Sequence, residues 1–553
     1  MQIFCKNLNE YIEFAGGETL GEIFGRIAHR IPMRPICARV NNKTEDLHYA
    51  VFSPKQVEFL PKTSPSGQRV YIRSLCMMLY RAVESLYPGV RLNIEHSVSR
   101  GYYCRLSGEG FSLDNGKIEA VKARMLELVG AGHPFERHEQ LTADVMEIFR
   151  RQRLDDKVKL LGTTHELYTV YYSMDGLCDS YYGPLAPSTS FLDVFDLIPY
   201  KGGFLLMGYG ADNPDMPAQP VTQEKMYEAF KDYLEFNRII GISNVGELNE
   251  AVEGRHTPTL INVAEALHEK RISNISNDIT RRYDDGGARI VLIAGPSSSG
   301  KTTFTKRLAI QLMTNLLKPQ MISLDNYFVS RELTPRDETG DYDYESLYAL
   351  DLELFNADLN RLLEGEEVEL PYYNFETGRR EYRGNRVRLG DRSVLLIEGI
   401  HGLNPELTNY IDERMKYAVY VSALTSLSID DHNWVPTTDN RLLRRIIRDH
   451  KYRGASAIDT LRRWPSVRRG EEKWIFPYQE NADATFNSSL IFELGVMRRY
   501  GEEILRGVPA DLPEYGEAHR LRRFLGYFTP IDDRLIPPTS LLREFLGGSS
   551  FHY

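Results

Sequence analysis

A glycine-bracketed serine loop is the stretch of this sequence best suited to chemistry. Residues 295–302 read Gly-Pro-Ser-Ser-Ser-Gly-Lys-Thr and fit the pattern G-x-x-x-x-G-K-[ST], in which loop N–H groups surround phosphates, the lysine reaches the terminal phosphates and the hydroxyl binds Mg²⁺. The pattern predicts ATP and Mg²⁺ as cofactors. The predicted nucleotide-binding residues are Gly295, Pro296, Ser297, Ser298, Ser299, Gly300, Lys301, Thr302 and Thr303.

Two acidic residues follow buried-strand patterns and are candidates for the chemical step. Asp325 comes directly after the apolar run that ends at Leu324, and Glu398 ends the run Val394-Leu-Leu-Ile. The carboxyl ends of strands in open α/β sheets are where ligands bind. We predict that Asp325 is a general base for a substrate hydroxyl, and that Thr302, Glu398 and Asp325 hold Mg²⁺. A turn-capping aspartate and a structural glutamate are the alternatives.

A basic segment follows these acids and is predicted to close over the transferred phosphoryl group as a lid. Arginines neutralise the negative charge that spreads over phosphoryl oxygens. Arg445 and Arg448 are the preferred phosphate contacts and, with Lys301, are predicted to act in catalysis. A solvated basic face remains the alternative for any single residue. The segment comprises Arg441, Arg444, Arg445, Arg448, Lys451 and Arg453, then Arg462, Arg463, Arg468, Arg469 and Lys473.

These residues need a strand, a loop and a helix to position them. Residues 290–294 form an apolar run typical of a buried strand, and residues 304–317 carry Leu308, Leu312 and Leu316 at helical spacing. The serine loop therefore lies between a predicted strand and a predicted helix, which is the context that a phosphate-binding loop requires.

Composition limits the class of protein. A chain of 553 residues exceeds one hydrophobic core and predicts several domains. The net charge of −10 argues against general coating of nucleic acid. The five cysteines include no C-x-x-C pair, which excludes a zinc ribbon and gives no support to a disulfide framework. Without a secretion signal at the first residues or a run of about 18 apolar residues, we expect a cytoplasmic protein with no membrane contact.

From residue 289 to residue 499 the sequence resembles the uridine/cytidine kinases, which belong with the phosphoribulokinases. The resemblance implies that Asp325 is the base for the ribose 5′-hydroxyl, that Asp343 accepts from a ribose hydroxyl, and that Tyr373 packs on the nucleoside. Arg441 and Arg463 are further implied substrate contacts. The matching segments are Gly295–Thr302, Asp325-Asn-Tyr-Phe, Pro371-Tyr-Tyr-Asn-Phe, Glu398-Gly-Ile and Arg441-Leu-Leu-Arg-Arg-Ile-Ile-Arg-Asp.

Three departures from the family pattern concern the acceptor. The base-reading histidine of the family falls on Gly378, which has no side chain to reach a carbonyl group. An R-G-R-D turn reads Arg453-Gly-Ala-Ser here, and Arg463 replaces a glutamine. A purine nucleoside, a sugar phosphate or another alcohol therefore remains an alternative acceptor.

The first two hundred residues resemble parts of a different family. Residues 1–65 have the size and pattern of a TGS module with a β-grasp fold, with a generic α+β domain as the alternative. Residues 66–210 resemble the second additional domain of threonyl-tRNA synthetases, which edits mischarged tRNA. The family's editing histidines and cysteine fall on Arg73, Met77, Tyr181 and Leu185. None of these can replace them, so we expect a non-editing domain used for docking or substrate gating.

We therefore predict a multidomain chain with α+β N-terminal domains, β-grasp-like and then synthetase editing-domain-like, followed by an α/β P-loop kinase with a parallel sheet. The predicted function is ATP-dependent phosphorylation of a nucleoside 5′-hydroxyl. A nucleotide-switched RNA-binding or regulatory protein is the alternative of another class, although RNA contact by the N-terminal region is not expected. A homo-oligomer and the role of the tail are left open. The predicted domains are 1–65, 66–210, a helical connector at 211–285, 286–505 and a helical tail at 506–553.

Overall fold

The computed structural model describes residues 1–338 and 340–552. The first domain contains strands β1 Gln2–Cys5, β2 Glu10–Glu13, β3 Glu18–Thr19, β4 Pro35–Val40, β5 Lys43–Glu45, β6 Ala50–Val51 and β7 Gln56–Pro61, and helix α1 Leu20–Ile27. Its main sheet has the order β2-β1-β7-β4-β5, with β1 and β7 parallel. Helix α1 begins with a capping box between Thr19 and Glu22 and buries Leu20, Ile23 and Ile27. A mixed sheet with one packed helix agrees with the β-grasp-like prediction.

The second domain is also α+β. Its elements are α2 Pro65–Leu86, β8 Arg91–Val98, β9 Gly101–Ser107, α3 Asn115–Ala131, β10 Glu136–Leu141, α4 Thr142–Arg151, α5 Asp155–Thr164, β11 Tyr168–Met174, β12 Leu177–Asp179, β13 Asp196–Tyr200 and β14 Gly203–Met207. They form a four-stranded sheet in the order β13-β14-β9-β8 and a three-stranded sheet in the order β10-β11-β12. Helix α2 begins at a Ser64 cap with proline at its first position and is buried along most of its length.

Three helices connect this domain to the C-terminal part of the chain. They are α6 Glu224–Ile240, α7 Val245–Glu253 and α8 Thr257–Asp284. All three helices lie within residues 211–285, the segment for which the sequence predicted a helical connector. Helix α8 contributes Ile272, Ile275 and Ile279 to the same hydrophobic core as the strand that precedes the serine loop.

A parallel five-stranded sheet organises the C-terminal domain. The elements are β15 Ile290–Ala294, α9 Lys301–Thr314, β16 Lys318–Ser323, α10 Leu352–Leu363, β17 Glu367–Asn374, β18 Arg379–Arg388, β19 Ser393–Glu398, β20 Lys416–Ser422, β21 Ser428–Asp430, β22 Asn433–Trp434, α11 Thr437–Tyr452, α12 Ala457–Trp474, β23 Ala484–Asn487, α13 Glu493–Arg506, α14 Tyr515–Leu525 and α15 Arg543–Leu546. The strand order is β16-β19-β15-β20-β23, and every neighbouring pair is parallel.

Strand β15 lies at the centre of this sheet and is covered on both faces. Ile290 and Leu292 belong to one hydrophobic core, whereas Val291 and Ile293 belong to another. Burial on both sides explains the unbroken apolar run, because alternate side chains of a strand point to opposite faces. Helix α9 ends at Thr314, earlier than the expected residue 317, because Leu316 takes a positive φ of 63°.

The tail after residue 506 packs on both halves of the molecule. Helix α14 carries Glu517, which pairs with Arg69 of the second domain at 3.2 Å, and Arg520, which pairs with Asp439 of α11 at 2.6 Å. Asn42 of the first domain donates to the carbonyl of Ala510. The structure thus shows that this segment, whose role the sequence left open, packs on the N-terminal region. In the described part of the chain, no helix combines the length and hydropathy needed to cross a bilayer.

Candidate active site

The serine loop joins the carboxyl end of β15 to the first turn of α9, and two of its positions require glycine. A Cβ atom on Gly295 would lie 2.0 Å from the carbonyl oxygen of Val421. Gly300 has a φ of +85°, and a Cβ there would lie 2.4 Å from Leu541. Tight packing and a left-handed backbone therefore fix the loop shape that the sequence pattern predicted. The first N–H groups of α9 and the positive end of its dipole are directed at this loop, a natural place for anions.

A buried ion pair holds the loop from the side of the basic helices. Arg441 on α11 donates to Glu471 on α12 at 2.8 Å, and both side chains are 1 % exposed or less. The same two residues bracket Ser297, whose N–H donates to Glu471 at 3.1 Å and whose carbonyl accepts from Arg441 at 3.1 Å. This corrects the prediction that Arg441 contacts substrate, because its guanidinium is enclosed and supports the loop instead.

Arg444 has a similar supporting role. It is fully buried, pairs with Glu493 on α13 and donates to the carbonyl of Ser488 at 2.9 Å. One turn apart on the inner side of α11, Arg441 and Arg444 join the loop to the two helices that follow. They are structural residues rather than members of a mobile lid.

The predicted acids lie at the carboxyl edge of the sheet, as the parallel register requires. Ile293 of β15 and Ser323 of β16 are both register partners of Glu398 on β19. The Glu398 carboxylate accepts from the hydroxyl of Thr302 at 3.4 Å and from that of Ser323 at 3.3 Å. Asp325 follows Ser323 in a short 3₁₀ turn. The sheet thus brings Thr302, Asp325 and Glu398 to one edge beside the loop.

The surrounding protein raises the pKa values of Glu398 and Asp325. Burial raises the pKa of Glu398 from 4.5 to about 7, although the nearby charge of Lys301 opposes the change. Solvent reaches Asp325, but the surrounding protein still raises its pKa above 3.8, against the opposing charges of Lys301, Arg453 and Arg448. A carboxylate with a raised pKa is stabilised by any cation that approaches it.

The donor set at Thr302 and Glu398 fits Mg²⁺. One hydroxyl and one or two carboxylate oxygens suit an ion that keeps several waters and takes few protein ligands. Within residues 1–338 and 340–552, no group of three or more histidine, cysteine, aspartate or glutamate side chains could hold a metal. A site that takes its remaining ligands from water and phosphate agrees with this sparse arrangement.

A third acid, Glu345, lies close enough to the loop for the charge of Lys301 to act on it, two residues after Asp343, the predicted ribose contact. Burial raises the pKa of Glu345 to about 7, and the charges of Glu471, Arg445, Lys301 and Asp325 all act on it. Asp343 instead accepts from the N–H of Glu345 at 3.2 Å and so caps the turn. The run Asp-Tyr-Asp-Tyr-Glu contains three acids, so spacing alone could not identify the one that faces the loop.

The other arginines of α11, Arg445 and Arg448, lie beside the serine loop. Arg445 donates to the hydroxyl of Ser297 at 2.8 Å. Asp449 pairs with Arg445 at 3.3 Å, with Arg448 at 2.8 Å and with Arg453 at 3.6 Å, which holds three cations together beside the loop. Arg463 lies exposed on α12, where no ion pair to it is found among the described residues.

Two residues predicted to face the acceptor have a different environment. Tyr373 is 2 % exposed, and its ring packs against Phe328 at 5.5 Å and Phe375 at 5.0 Å. These two rings enclose Tyr373, which corrects the prediction that it packs on a nucleoside. Gly378 has a φ of +70°, and Arg331 covers it so closely that a Cβ would lie 2.8 Å from the arginine side chain. A cation therefore occupies the space next to the position of the family's base-reading histidine.

The N-terminal positions that correspond to an editing centre are closed. Arg73, Met77, Tyr181 and Leu185 are all buried, with at most 6 % exposure. An added Cβ on Gly183 would lie 2.3 Å from Arg73, which shows how tightly this region is packed. That this domain does not edit remains a prediction.

The hairpin β21–β22 of the C-terminal domain packs against this closed region. His432 contacts Asp179 at 2.7 Å, and Lys157 bridges Asp179 at 2.8 Å and Asp430 at 2.9 Å, with all four side chains nearly or fully buried. Burial lowers the pKa of His432, but Asp179 outweighs this effect and the net change is upward. The ring of Trp434 also packs on Tyr102 at 4.4 Å. This region therefore contacts the C-terminal domain through buried ion pairs and an aromatic pair.

Comparison with known proteins finds different matches for the two parts of the chain. The loop and the acids at one edge of a parallel sheet have the arrangement of a P-loop nucleotide-binding domain. Residues 290–490 match the model of the Phosphoribulokinase / Uridine kinase family, as the sequence resemblance predicted. A solved structure described as a possible uridine kinase from Bacillus stearothermophilus aligns with 36 % of this chain and 89 % of its own, at 22 % identity and a TM-score of 0.25.

The N-terminal region matches threonine–tRNA ligases. That of Porphyromonas gingivalis is 25 % identical over 193 residues, which cover 35 % of this chain and 30 % of the ligase. That of Halorhodospira halophila is 27 % identical over 221 residues, which cover 38 % of this chain and 34 % of the ligase. The chain thus spans about a third of the length of these relatives.

Proposed function

We propose that the protein is a kinase that uses ATP and Mg²⁺ to phosphorylate the 5′-hydroxyl of a nucleoside. The observation that carries the proposal is the position of Asp325, at the edge of the sheet beside the loop and within the field of Lys301, Arg448 and Arg453. A carboxylate at that place can accept a proton from an acceptor while cations meet the charge of the phosphoryl group.

In the proposed reaction, the acceptor hydroxyl gives its proton to the Asp325 carboxylate. Its oxygen forms a bond to the γ-phosphorus of ATP as the bond from that phosphorus to the β–γ bridging oxygen breaks, and ADP leaves. Lys301 would donate to the phosphate oxygens, and Arg445 and Arg448 would neutralise the transferred group. Mg²⁺, held by Thr302 and Glu398, would offset charge on the β- and γ-phosphates.

Glu345 is proposed as the acceptor-binding acid in place of Asp343. Its carboxyl lies in the field of Asp325 and Lys301 and so can accept hydrogen bonds from the hydroxyls of a ribose. Gly470 of α12 approaches Glu345 so closely that a Cβ there would lie 2.3 Å from the glutamate Cβ. This packing fixes the acid against the helix that also carries Glu471.

A different alcohol is the second candidate acceptor, because of Arg331. Its backbone N–H donates to the carbonyl of Gly378 at 2.9 Å, and its side chain lies over that glycine. A guanidinium there can donate to a base carbonyl, but it binds a phosphate or a carboxylate better. A sugar phosphate is therefore the acceptor to compare with nucleosides.

A panel of acceptors tests the proposal. The full chain is incubated with MgATP and single acceptors, including pyrimidine and purine nucleosides and sugar phosphates, and the products are identified by mass. Formation of a nucleoside 5′-monophosphate by the wild type, and its loss in Lys301→Ala, is the expected result. A sugar bisphosphate as the main product would assign the second acceptor. ATP binding without turnover of any acceptor would favour a nucleotide-switched protein instead.

A further inference from the structure

The end of the chain lies on the phosphate-binding loop. After α14 the chain returns along the C-terminal domain to residues 540–547, which we call the strap. Its side chains Leu541, Leu542, Phe545 and Leu546 are 1 % exposed or less and belong to the main hydrophobic core of this domain. The strap is therefore a packed part of the fold, and burial of these four apolar side chains holds it on the loop.

A carboxylate of the strap occupies the first turn of the loop helix. Glu544 accepts from the backbone N–H of Thr303 at 3.2 Å and from its hydroxyl at 2.6 Å. Thr303 is the third residue of α9, so this N–H is one of those that a helix leaves without an internal acceptor. A phosphate bound at a phosphate-binding loop accepts hydrogen bonds from such N–H groups. Glu544 thus makes the contact that a nucleotide phosphate would make.

The contacts of Glu544 with Thr303 are hydrogen bonds, and no ion pair with Glu544 is found in the parts of the chain that the structure describes. Its charge contributes to the raised pKa of Glu398, the neighbouring acid proposed to hold Mg²⁺, for which burial is the larger cause. A phosphate at Thr303 would add further negative charge at the same place. Glu544 and a phosphate cannot both take the Thr303 N–H, so one must displace the other.

The strap is also attached to the basic helix α11. The ring of Phe545 lies 5.0 Å from the guanidinium carbon of Arg444, and the carbonyl of Leu546 accepts from Lys451. Leu541 covers Gly300 on the other side of the loop. Displacement of the strap would thus change contacts at the loop and at the helix that carries Arg445 and Arg448.

We propose that the strap is an autoinhibitory element in which Glu544 holds the place of a nucleotide phosphate and is displaced when nucleotide binds. The inference rests on the proposed use of the loop for nucleotide and adds a competitor that the chain itself supplies. Part of the binding free energy of the nucleotide is then spent on moving Glu544, so the nucleotide affinity of the intact chain is lower than the loop alone would give.

The substitution Glu544→Gln tests the competition with little change in shape. Glutamine can still accept from Thr303 through its carbonyl oxygen but lacks the charge. We expect the Kd of MgADP, measured by titration calorimetry on the full chain, to fall about 2- to 30-fold, the range for one charge at a helix start. The matched control is Asp532→Asn, which removes a carboxylate of the same tail that pairs locally with Arg534. Its Kd should equal that of the wild type.

Hydrogen exchange of the wild-type chain gives an independent measurement. Saturating MgADP should accelerate exchange of the backbone amides in residues 540–547, since displacement loosens their packing. An unchanged or weaker affinity in Glu544→Gln, or unchanged or slower exchange of the strap with nucleotide, would overturn the autoinhibitory assignment. Failure of both the wild type and the variant to bind any nucleotide would instead overturn the proposed function.

Discussion

Replacement of Asp325 by asparagine separates chemistry from nucleotide binding. Asparagine keeps the size of the side chain but cannot accept the proton of the acceptor hydroxyl. General bases contribute about 10²- to 10⁴-fold to a rate, which corresponds to about 3 to 5 kcal/mol of barrier. The charges of Lys301, Arg448 and Arg453 that act on Asp325 stay in place. Their field is then stronger toward a polyphosphate, so ATP should bind as tightly as in the wild type or more tightly.

The assay measures two quantities on each variant. Turnover of the best acceptor is followed at saturating MgATP, and the Kd of MgATP is measured by calorimetry without acceptor. The control, Asp391→Asn, removes an exposed carboxylate from the turn before β19, at the end of that strand opposite to Glu398. A kcat within tenfold of the wild type would refute the assignment of Asp325 as the base. A loss of MgATP affinity as large as the loss of kcat would show that Asp325 acts through the loop or through the predicted Mg²⁺ site rather than as the base.

Three further substitutions test the electrostatics of the fold. The pKa of Glu398 is raised from 4.5 to about 7, so the folded chain holds this proton more tightly than the unfolded chain and loses stability as pH rises from 4.5 to 7. Glu398→Gln should remove up to about 3 kcal/mol of this loss. The free energy of unfolding in urea should then differ less between pH 5 and pH 8 than in the wild type, and an unchanged difference would contradict the prediction. Glu471→Ala leaves a buried arginine unpaired and should cost about 3 to 5 kcal/mol in the same measurement, whereas the exposed neighbour in Glu472→Ala should change stability by about 0.5 kcal/mol at most. Asp179→Asn should make the junction of the two halves sensitive to limited proteolysis. Asp175→Asn should not, because the side chain of Asp175 is partly exposed. Equal cleavage of both variants would argue against docking through Asp179.

The chemistry of the loop could be predicted from sequence because its determinants are local. A strand, a glycine-bracketed loop and a helix follow one another within about 25 residues, and the predicted parallel sheet brings Asp325 and Glu398 to the same edge. Register with Ile293 and Ser323 then fixes the neighbours of Glu398. The multidomain organisation was predicted from the length of the chain, and the fold classes of both halves from their resemblance to known families. The domain boundaries remain predictions.

The errors in the site concern side chains whose partners are distant in sequence. Helical spacing placed Arg441 and Arg445 in one basic segment. It did not show that Arg441 would form a buried ion pair with Glu471 whereas Arg445 would donate to the loop. In the same way, Phe328 and Phe375 enclose Tyr373. Such pairings depend on how elements pack, and a periodic pattern contains no information about which distant acid or ring will fill a given position.

The tail shows the same limit more strongly. Its sequence contains no motif, so its role was left open. Its contact with the loop depends on the return of the chain to residues 540–547, and Glu544 gains its significance only from its distance to Thr303. A carboxylate that competes with a ligand has no sequence signature of its own.

The buried contact between β21–β22 and the second domain also has a consequence for variation among homologous chains. Lys157 and Asp179 lie in one half and Asp430 and His432 in the other, and the four side chains pair with one another inside one buried junction. A substitution on one side leaves an unpaired charge on the other, so single changes are selected against and paired changes are tolerated. Aligned homologues that share both halves should therefore show covariation between these positions, whereas kinases without the N-terminal half should be free to vary at the positions equivalent to Asp430 and His432.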